Sequence, residues 1–225
     1  MEAKDISSML GKHYSQKFAQ YGDTPLGVDW GADHADHLIR LERMLAVTNV
    51  GRQPDTVQSI LDVGCGYGRL YELCKSRSLN FSYSGIDICE EMIVSAKNKF
   101  AVGEWFVGDV LGLEESRQFD YVVCNGILTQ KLNASIREMD EYLKLLVSKM
   151  FALCRIGIAF NLMTTHVNFT APNLYYRNPA ELLGWCMSQL TSRVRLDHAY
   201  PLYEYTVYLY REDAPGVVYG SHRQS

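Results

Sequence analysis

Ser59-Ile-Leu-Asp-Val-Gly-Cys-Gly-Tyr-Gly68 decides the fold. An apolar strand runs into three glycines spaced two apart, with Asp62 held just ahead of the first. Strand, glycine turn and helix together let a ligand approach the backbone closely, because glycine has no side chain in the way and accepts positive φ. A dinucleotide site wants G-x-G-x-x-G, whose last glycine packs helix on strand beside a pyrophosphate. Arg69 stands where that last glycine belongs. An aspartate ahead of the turn repels a pyrophosphate but accepts a hydrogen bond from a cationic amine, so the expected ligand carries an ammonium group.

The spacing downstream agrees. Phe81-Ser-Tyr-Ser-Gly-Ile-Asp87 reads as a second strand, and its terminal carboxylate, nineteen residues after Gly68, stands where such folds hold ribose hydroxyls. Asp109 follows Glu104-Trp-Phe-Val-Gly108, and Phe119-Asp-Tyr-Val-Val-Cys-Asn-Gly126 makes a fourth strand whose end opens toward the same place. On these residues the chain resembles the class I methyltransferases that use S-adenosylmethionine, over roughly residues 33 to 211. The resemblance implies that Asp62, Gly64, Cys65, Gly66 and Gly68 contact the methionine part of the cofactor and that Asp87 holds the ribose. It implies that Gly108, Asp109 and Val110, with the apolar Ile88 and Met92, hold the adenine, and that Asn125 and Gly126 lie near the sulfonium.

Composition narrows the partners. With 225 residues, 47% of them hydrophobic, the chain suits one domain with a substantial core. A net charge of −4 argues against holding nucleic acid through phosphate contacts, and small molecules or peptides are the expected partners. The six cysteines contain no C-x-x-C pair, so neither a disulfide framework nor a zinc site is expected, and a reducing cytoplasm is. There the Asn133 and Asn168 sequons carry no meaning. The first ten residues, with Glu2, Lys4 and Asp5, do not read as a signal peptide. Lys149 and Arg155 interrupt the apolar stretch Leu145 to Met163, which is therefore no membrane span.

Along the chain, helices and strands alternate without repeats. Leu10, Tyr14, Phe18 and Tyr21 recur at helical spacing in a first helix over 5–21 that stops at Gly22. A Gly- and Pro-rich loop follows to residue 32. A second helix over about 33–48 carries a stripe of Leu38, Leu41 and Leu45. Ser135-Ile-Arg-Glu138 is a capping box ahead of a long helix with apolar Ile136, Met139, Leu143, Leu146 and Met150. Ile156, Ile158 and Phe160 alternate in a fifth strand ending at Asn161. Asn178-Pro179-Ala180-Glu181 starts a helix running to about Leu190. Strands over 193–198 and 203–211, joined through Tyr200-Pro201, suit an antiparallel closing pair.

This order predicts an α/β, single-domain, Rossmann-like fold: a seven-stranded, mostly parallel sheet with helices on both faces and one antiparallel strand near the end. Residues 1–32 form an N-terminal helical lid and loop, 33–211 the S-adenosylmethionine-binding domain, and 212–225 a polar tail. Asp29-Trp30, Cys124-Asn-Gly-Ile-Leu-Thr129, Ala159-Phe-Asn161 and Tyr200-Pro-Leu-Tyr-Glu-Tyr-Thr-Val207 resemble a small bacterial branch of the family. They are also similar to the azetidine-2-carboxylate synthases, which cyclise the cofactor itself.

Two chemistries stand open. In methyl transfer to a small-molecule acceptor the protein aligns the acceptor with the methyl group and excludes water. In cyclisation the cofactor's amine attacks its own γ-carbon, methylthioadenosine leaves, and no second substrate is needed. A third reading, from another class, is a cofactor-binding protein without turnover. The enzyme readings both want aromatic walls around the sulfonium, where a cation–π contact contributes about 0.5 to 2 kcal/mol. Tyr14 and Trp30 are the expected wall residues, unless the first helix's aromatic stripe simply packs on core. Substrate loops in this fold follow the fifth strand, where the chain offers His166, Asn173, Tyr175 and Tyr176. Tyr175, Tyr176, Asn125, Asn161 and Tyr14 are the catalytic candidates, their hydroxyls or amides suited to orient an amine or carboxylate. His34 and His37 beside Asp33 and Asp36 imitate a metal pair, but no third ligand is evident and no metal is expected. No Asn-Pro-Pro-Tyr or Asp-Pro-Pro-Tyr follows the fourth strand, and no Asp-Asn pair follows the fifth. The oligomeric state is not legible.

Overall fold

The computed structural model describes residues 1–31, 34–53 and 55–214. Its strands are β1 (Gln58–Val63), β2 (Phe81–Asp87), β3 (Glu104–Val107), β4 (Phe119–Cys124), β5 (Cys154–Thr164), β6 (Tyr176–Arg177), β7 (Val194–Asp197) and β8 (Glu204–Tyr210). The helices are α1 (Ala3–Tyr21), α2 (His34–Leu45), α3 (Arg69–Ser76), α4 (Glu90–Lys99), α5 (Ile136–Leu153) and α6 (Pro179–Gln189). The main sheet order is β3-β2-β1-β4-β5-β8-β7, and β8 runs antiparallel to both of its neighbours. That is the expected seven-stranded sheet. The two-residue β6 is an addition, paired in parallel with the end of β5.

The sheet is buried on both faces, so its central strands read as continuous apolar runs. On one face α1 and α5 pack through Ile6, Leu10, Met139, Leu143, Leu146 and Met150. On the other, α2, α3 and α4 contribute Leu41, Met44, Leu70, Leu73, Ile93 and Ala96. Each of the leucines, isoleucines and methionines stabilises the fold by about 1.5–3 kcal/mol relative to exposure.

Local signals hold where capping chemistry sets them. Ser135 and Glu138 close the reciprocal box at the start of α5, and Asn178 Oδ1 accepts the Ala180 amide at the start of α6. Gly22, at φ 59°, ends α1 and donates its N–H to Phe18. Some boundaries and faces differ from expectation. β5 continues past Asn161 to Thr164 because β8 supplies a partner for each residue, Met163 pairing with Glu204. α2 gives way after Leu45 to a 3-10 turn over Ala46–Asn49. Ala214, in the expected polar tail, is buried, and residues 215–225 lie outside the described residues. On α2, Leu38 is exposed and His37 takes the inward position with Leu41, Met44 and Leu45.

All six cysteines are buried and unbridged. Among the described residues no acidic, histidine or cysteine cluster could hold a metal, and no helix is long and apolar enough to cross a membrane.

Candidate active site

β1 is the point where the strand order reverses, with β2 and β3 to one side and β4 and β5 to the other. Loops leaving the carboxyl ends of β1 and β4 diverge there and open a crevice, the position at which ligands bind in sheets of this kind. The glycine turn forms its floor. Gly64, Gly66 and Gly68 all have positive φ, at 71°, 54° and 89°. Gly64 donates to the Ile86 carbonyl at 2.8 Å and Gly66 to Asp87 Oδ2 at 2.8 Å, so the turn is laced to the end of β2. Asp87 Oδ1 accepts the Cys89 amide at 2.8 Å. These amides oppose the burial that raises the Asp87 pKa, and each carboxylate oxygen keeps a lone pair for a further donor.

Asp62 lies deeper, 3% exposed, with the Tyr83 hydroxyl donating to it at 2.6 Å. Burial pushes its carboxyl up to about 7, with Asp87 adding to the effect and Tyr83 opposing it. The crevice wall continues through Cys65, Ile88, Met92, Gly108, Asp109 and Val110. Asp109 also caps the turn that follows, accepting the Leu111 amide at 2.9 Å.

α1 and its following loop roof this crevice. A Cβ on Gly11 would lie 3.0 Å from Ile88, so the helix approaches the end of β2 as closely as a glycine permits. Tyr14 and Trp30 both reach the wall. Trp30 lies against Gly126, where φ is 94° and a Cβ would come within 2.5 Å of the indole. The Arg40 guanidinium stands 4.0 Å from the Trp30 ring. Arg40 is held in turn by Glu204 Oε1, accepting from Nε at 2.8 Å and Nη2 at 2.6 Å. Glu204 Oε2 accepts from Asn161 Nδ2 at 2.6 Å, and Asn161 Oδ1 accepts the Gly126 amide at 2.8 Å. The ring of contacts closes on itself. Beside it, Asp29 accepts from Gln130 at 2.9 Å and pairs with His13 and Lys17, each at 2.7 Å, tying the roof to the loop after β4. Four stretches distant in the chain, 29–30, 124–129, 159–161 and 200–207, thus meet around one turn.

The crevice brings together Asp62, Gly64, Cys65, Gly66, Asp87, Ile88, Met92, Gly108, Asp109, Val110, Asn125, Gly126, Tyr14 and Trp30. It does not include the other candidates. Gly68 faces away, packing the start of α3 on Trp105 and Phe100. Asn161 stands behind Gly126 rather than at the surface of the crevice. Tyr175 is fully buried in the core, its hydroxyl donating to Asp140 at 2.5 Å. Tyr176 lies in β6, its hydroxyl accepting the Ala171 amide at 3.0 Å. The pairing of β6 with β5 carries both tyrosines away from the crevice. His166 is exposed. Residues absent from the expected site also line it, among them the polar Arg69, His37, Tyr67 and Tyr142. His37 is 4% exposed, and its i, i+4 relation to the apolar Leu41 was the signal that could have found it.

The geometry suits a cofactor with an ammonium, a diol and a flat base. Buried Asp62, the two-oxygen Asp87 and the apolar Ile88, Met92 and Val110 face one cavity, and Asn125 Oδ1 is buried there without a partner among the described residues. Residues 60–145 match the family described as a methyltransferase domain. The protein Rv1506c of Mycobacterium tuberculosis, named as a methyltransferase, is 31% identical over 151 residues, 66% of this chain and 90% of that one. The chain belongs to the class I S-adenosylmethionine-dependent methyltransferases. As a member of this family it is a transferase with S-adenosylmethionine as cofactor. A shorter likeness, 32% identity over 74 residues, covers 30% of this chain and 31% of a tRNA1(Val) (adenine(37)-N6)-methyltransferase of Vibrio vulnificus. The methyltransferase fold recurs in the magnesium protoporphyrin IX methyltransferase of Synechocystis PCC 6803. That comparison has a TM-score of 0.62 at 15% identity, covering 92% of this chain and 97% of that one. It recurs again in the DhpI–SAH complex, with a TM-score of 0.59 at 19% identity, covering 95% and 98%.

Proposed function

We propose that this methyltransferase acts on a small molecule, held in the crevice beneath a lid formed by α1 and the loop through residue 31. The observation that carries the reading is the seat of Trp30 on Gly126, which brings the roof against the end of β4 and leaves a narrow space for an acceptor. A net charge of −4 supports a small partner over a nucleic acid, and the buried, unbridged cysteines support a cytoplasmic setting.

In this reading Asp62 faces the cofactor's ammonium, Asp87 accepts from the ribose hydroxyls, and Ile88, Met92 and the 108–110 turn hold the adenine. Asn125 and Gly126 border the sulfonium end, with Tyr14 and Trp30 as its aromatic walls. The cofactor supplies an electrophilic methyl group. The protein's part is to align the acceptor and exclude water, for which little acid–base equipment is obligatory.

The test is incubation of the purified protein with S-adenosylmethionine, first alone and then with a library of small molecules. We expect the cofactor to persist when alone and S-adenosylhomocysteine to appear with an acceptor. Methylthioadenosine and an azetidine-2-carboxylate mass from the cofactor alone would replace this reading with cyclisation.

A further inference from the structure

Two buried polar atoms with no hydrogen-bond partner among the described residues belong to side chains that line the crevice, His37 Nδ1 and Asn125 Oδ1. Both residues flank Trp30. The His37 and Trp30 ring centroids are 6.3 Å apart, and Gly126, next to Asn125, seats the indole edge. Leu41, one turn along α2 from His37, completes an apolar wall beside them.

The charged and titratable groups around His37 are Arg69 at the start of α3 and Arg40 and His34 on its own helix. Burial first, and these neighbours after it, push the imidazole down to about 4. It is neutral at pH 7, with one ring nitrogen a lone-pair acceptor. A buried acceptor without a donor is unfavourable until a ligand supplies one. A carboxylate or a carbon nucleophile brings no donor.

We propose that His37 and Asn125 form the subsite for the methyl acceptor, and that the acceptor is a neutral hydroxyl or amine on a flat or apolar group, donating its O–H or N–H to His37 Nδ1. This rests on the methyltransferase reading above. In the transfer, the nucleophile's lone pair bonds to the methyl carbon and the carbon–sulfur pair stays on sulfur. With a hydroxyl the displaced proton passes to His37 Nδ1 and from there to solvent, whereas a methylated amine keeps it as its ammonium. His37 is the proton acceptor that apolar surroundings would otherwise withhold.

The experiment uses the full chain with 15N-labelled histidine, saturated with S-adenosylhomocysteine at pH 7, with phenol and anisole as probes. Calorimetry before either probe is added reads cofactor-product binding, and failure there overturns the methyltransferase reading along with this one. With binding established, we expect Nδ1 of His37 to carry no proton, and its nitrogen resonance to shift saturably with phenol but not with anisole. In His37→Leu, phenol affinity should fall at least tenfold. A protonated Nδ1, or equal responses to phenol and anisole, overturns the subsite alone. The wild-type spectra decide the matter even if His37→Leu does not fold.

Discussion

Asn161 accepts the backbone N–H of Gly126 through Oδ1 at 2.8 Å, and this side chain, 1% exposed, is what holds the turn after β4 in place. Its other end donates to Glu204, so Asn161→Ala leaves both a buried amide and a buried carboxylate short of a partner. Unpartnered buried groups cost about 1–3 kcal/mol each. Urea unfolding should show a loss of about 2–6 kcal/mol, with weaker binding of S-adenosylhomocysteine by calorimetry. Unchanged stability would mean that the turn holds without this side chain.

Glu204 is 2% exposed and Arg40 only slightly more open, so their pair is of the buried kind. Removing one partner of such a pair costs about 3–5 kcal/mol, whereas replacing both with apolar residues is often neutral. Glu204→Leu should fall in that range, and adding Arg40→Met should restore much of the loss. A double-mutant cycle measured by denaturation checks this, and simple additivity would show the two residues to be uncoupled.

Gly126 has no room for a side chain. Gly126→Ala places a methyl group 2.5 Å from the Trp30 indole at a φ of 94°, so either the indole moves or the turn does. Tryptophan fluorescence should shift toward the red as Trp30 loses its seat. Combining Gly126→Ala with Trp30→Ala relieves the clash but not the backbone strain, giving a coupling of about 0.5–3 kcal/mol. No coupling would place Trp30 elsewhere in solution.

Asp62 ties stability to pH. Its folded pKa of about 7 lies above the unfolded carboxylate value, so its contribution is full below the unfolded pKa and is lost as pH rises through 7. His37, lowered to about 4, works in the opposite sense, contributing above its ordinary pKa and losing that contribution as pH falls toward 4. At pH 6.5 the unfolded His37 is still half protonated, so from pH 6.5 to 8 its contribution rises, but by less than the Asp62 contribution falls, because the Asp62 folded pKa lies higher in that window. Melting temperature should therefore fall over that window in the wild type and less so in Asp62→Asn. If the cofactor's ammonium needs the carboxylate, its affinity rises about tenfold from pH 6 to 8 with proton release. Calorimetry in buffers of different ionisation enthalpy reads that proton directly.

The sequence by itself determined whatever rests on short-range chemistry. The glycine turn at 64–68, the carboxylate of Asp87, the caps at Ser135 and Asn178 and the antiparallel pairing of β7 with β8 each depend on residues close together along the chain. About half of the residues that line the crevice were named, most of them through the family resemblance at the strand ends. Tertiary structure decided what depends on pairing across distance. Arg40 meets Glu204 across 164 residues, and no periodicity connects them. Tyr175 and Tyr176 lie in the expected loop, yet the two-residue β6 turns them away and the Asp140 carboxylate claims one hydroxyl. His37 sits beside Leu38 on a stripe where hydropathy favours the leucine, but the packing of α2 sets its rotation so that the histidine faces inward. A helix's apolar period defines a stripe only to within about one residue, because neighbouring positions lie 100° apart on a helix of 3.6 residues per turn, and only the neighbouring elements select between them.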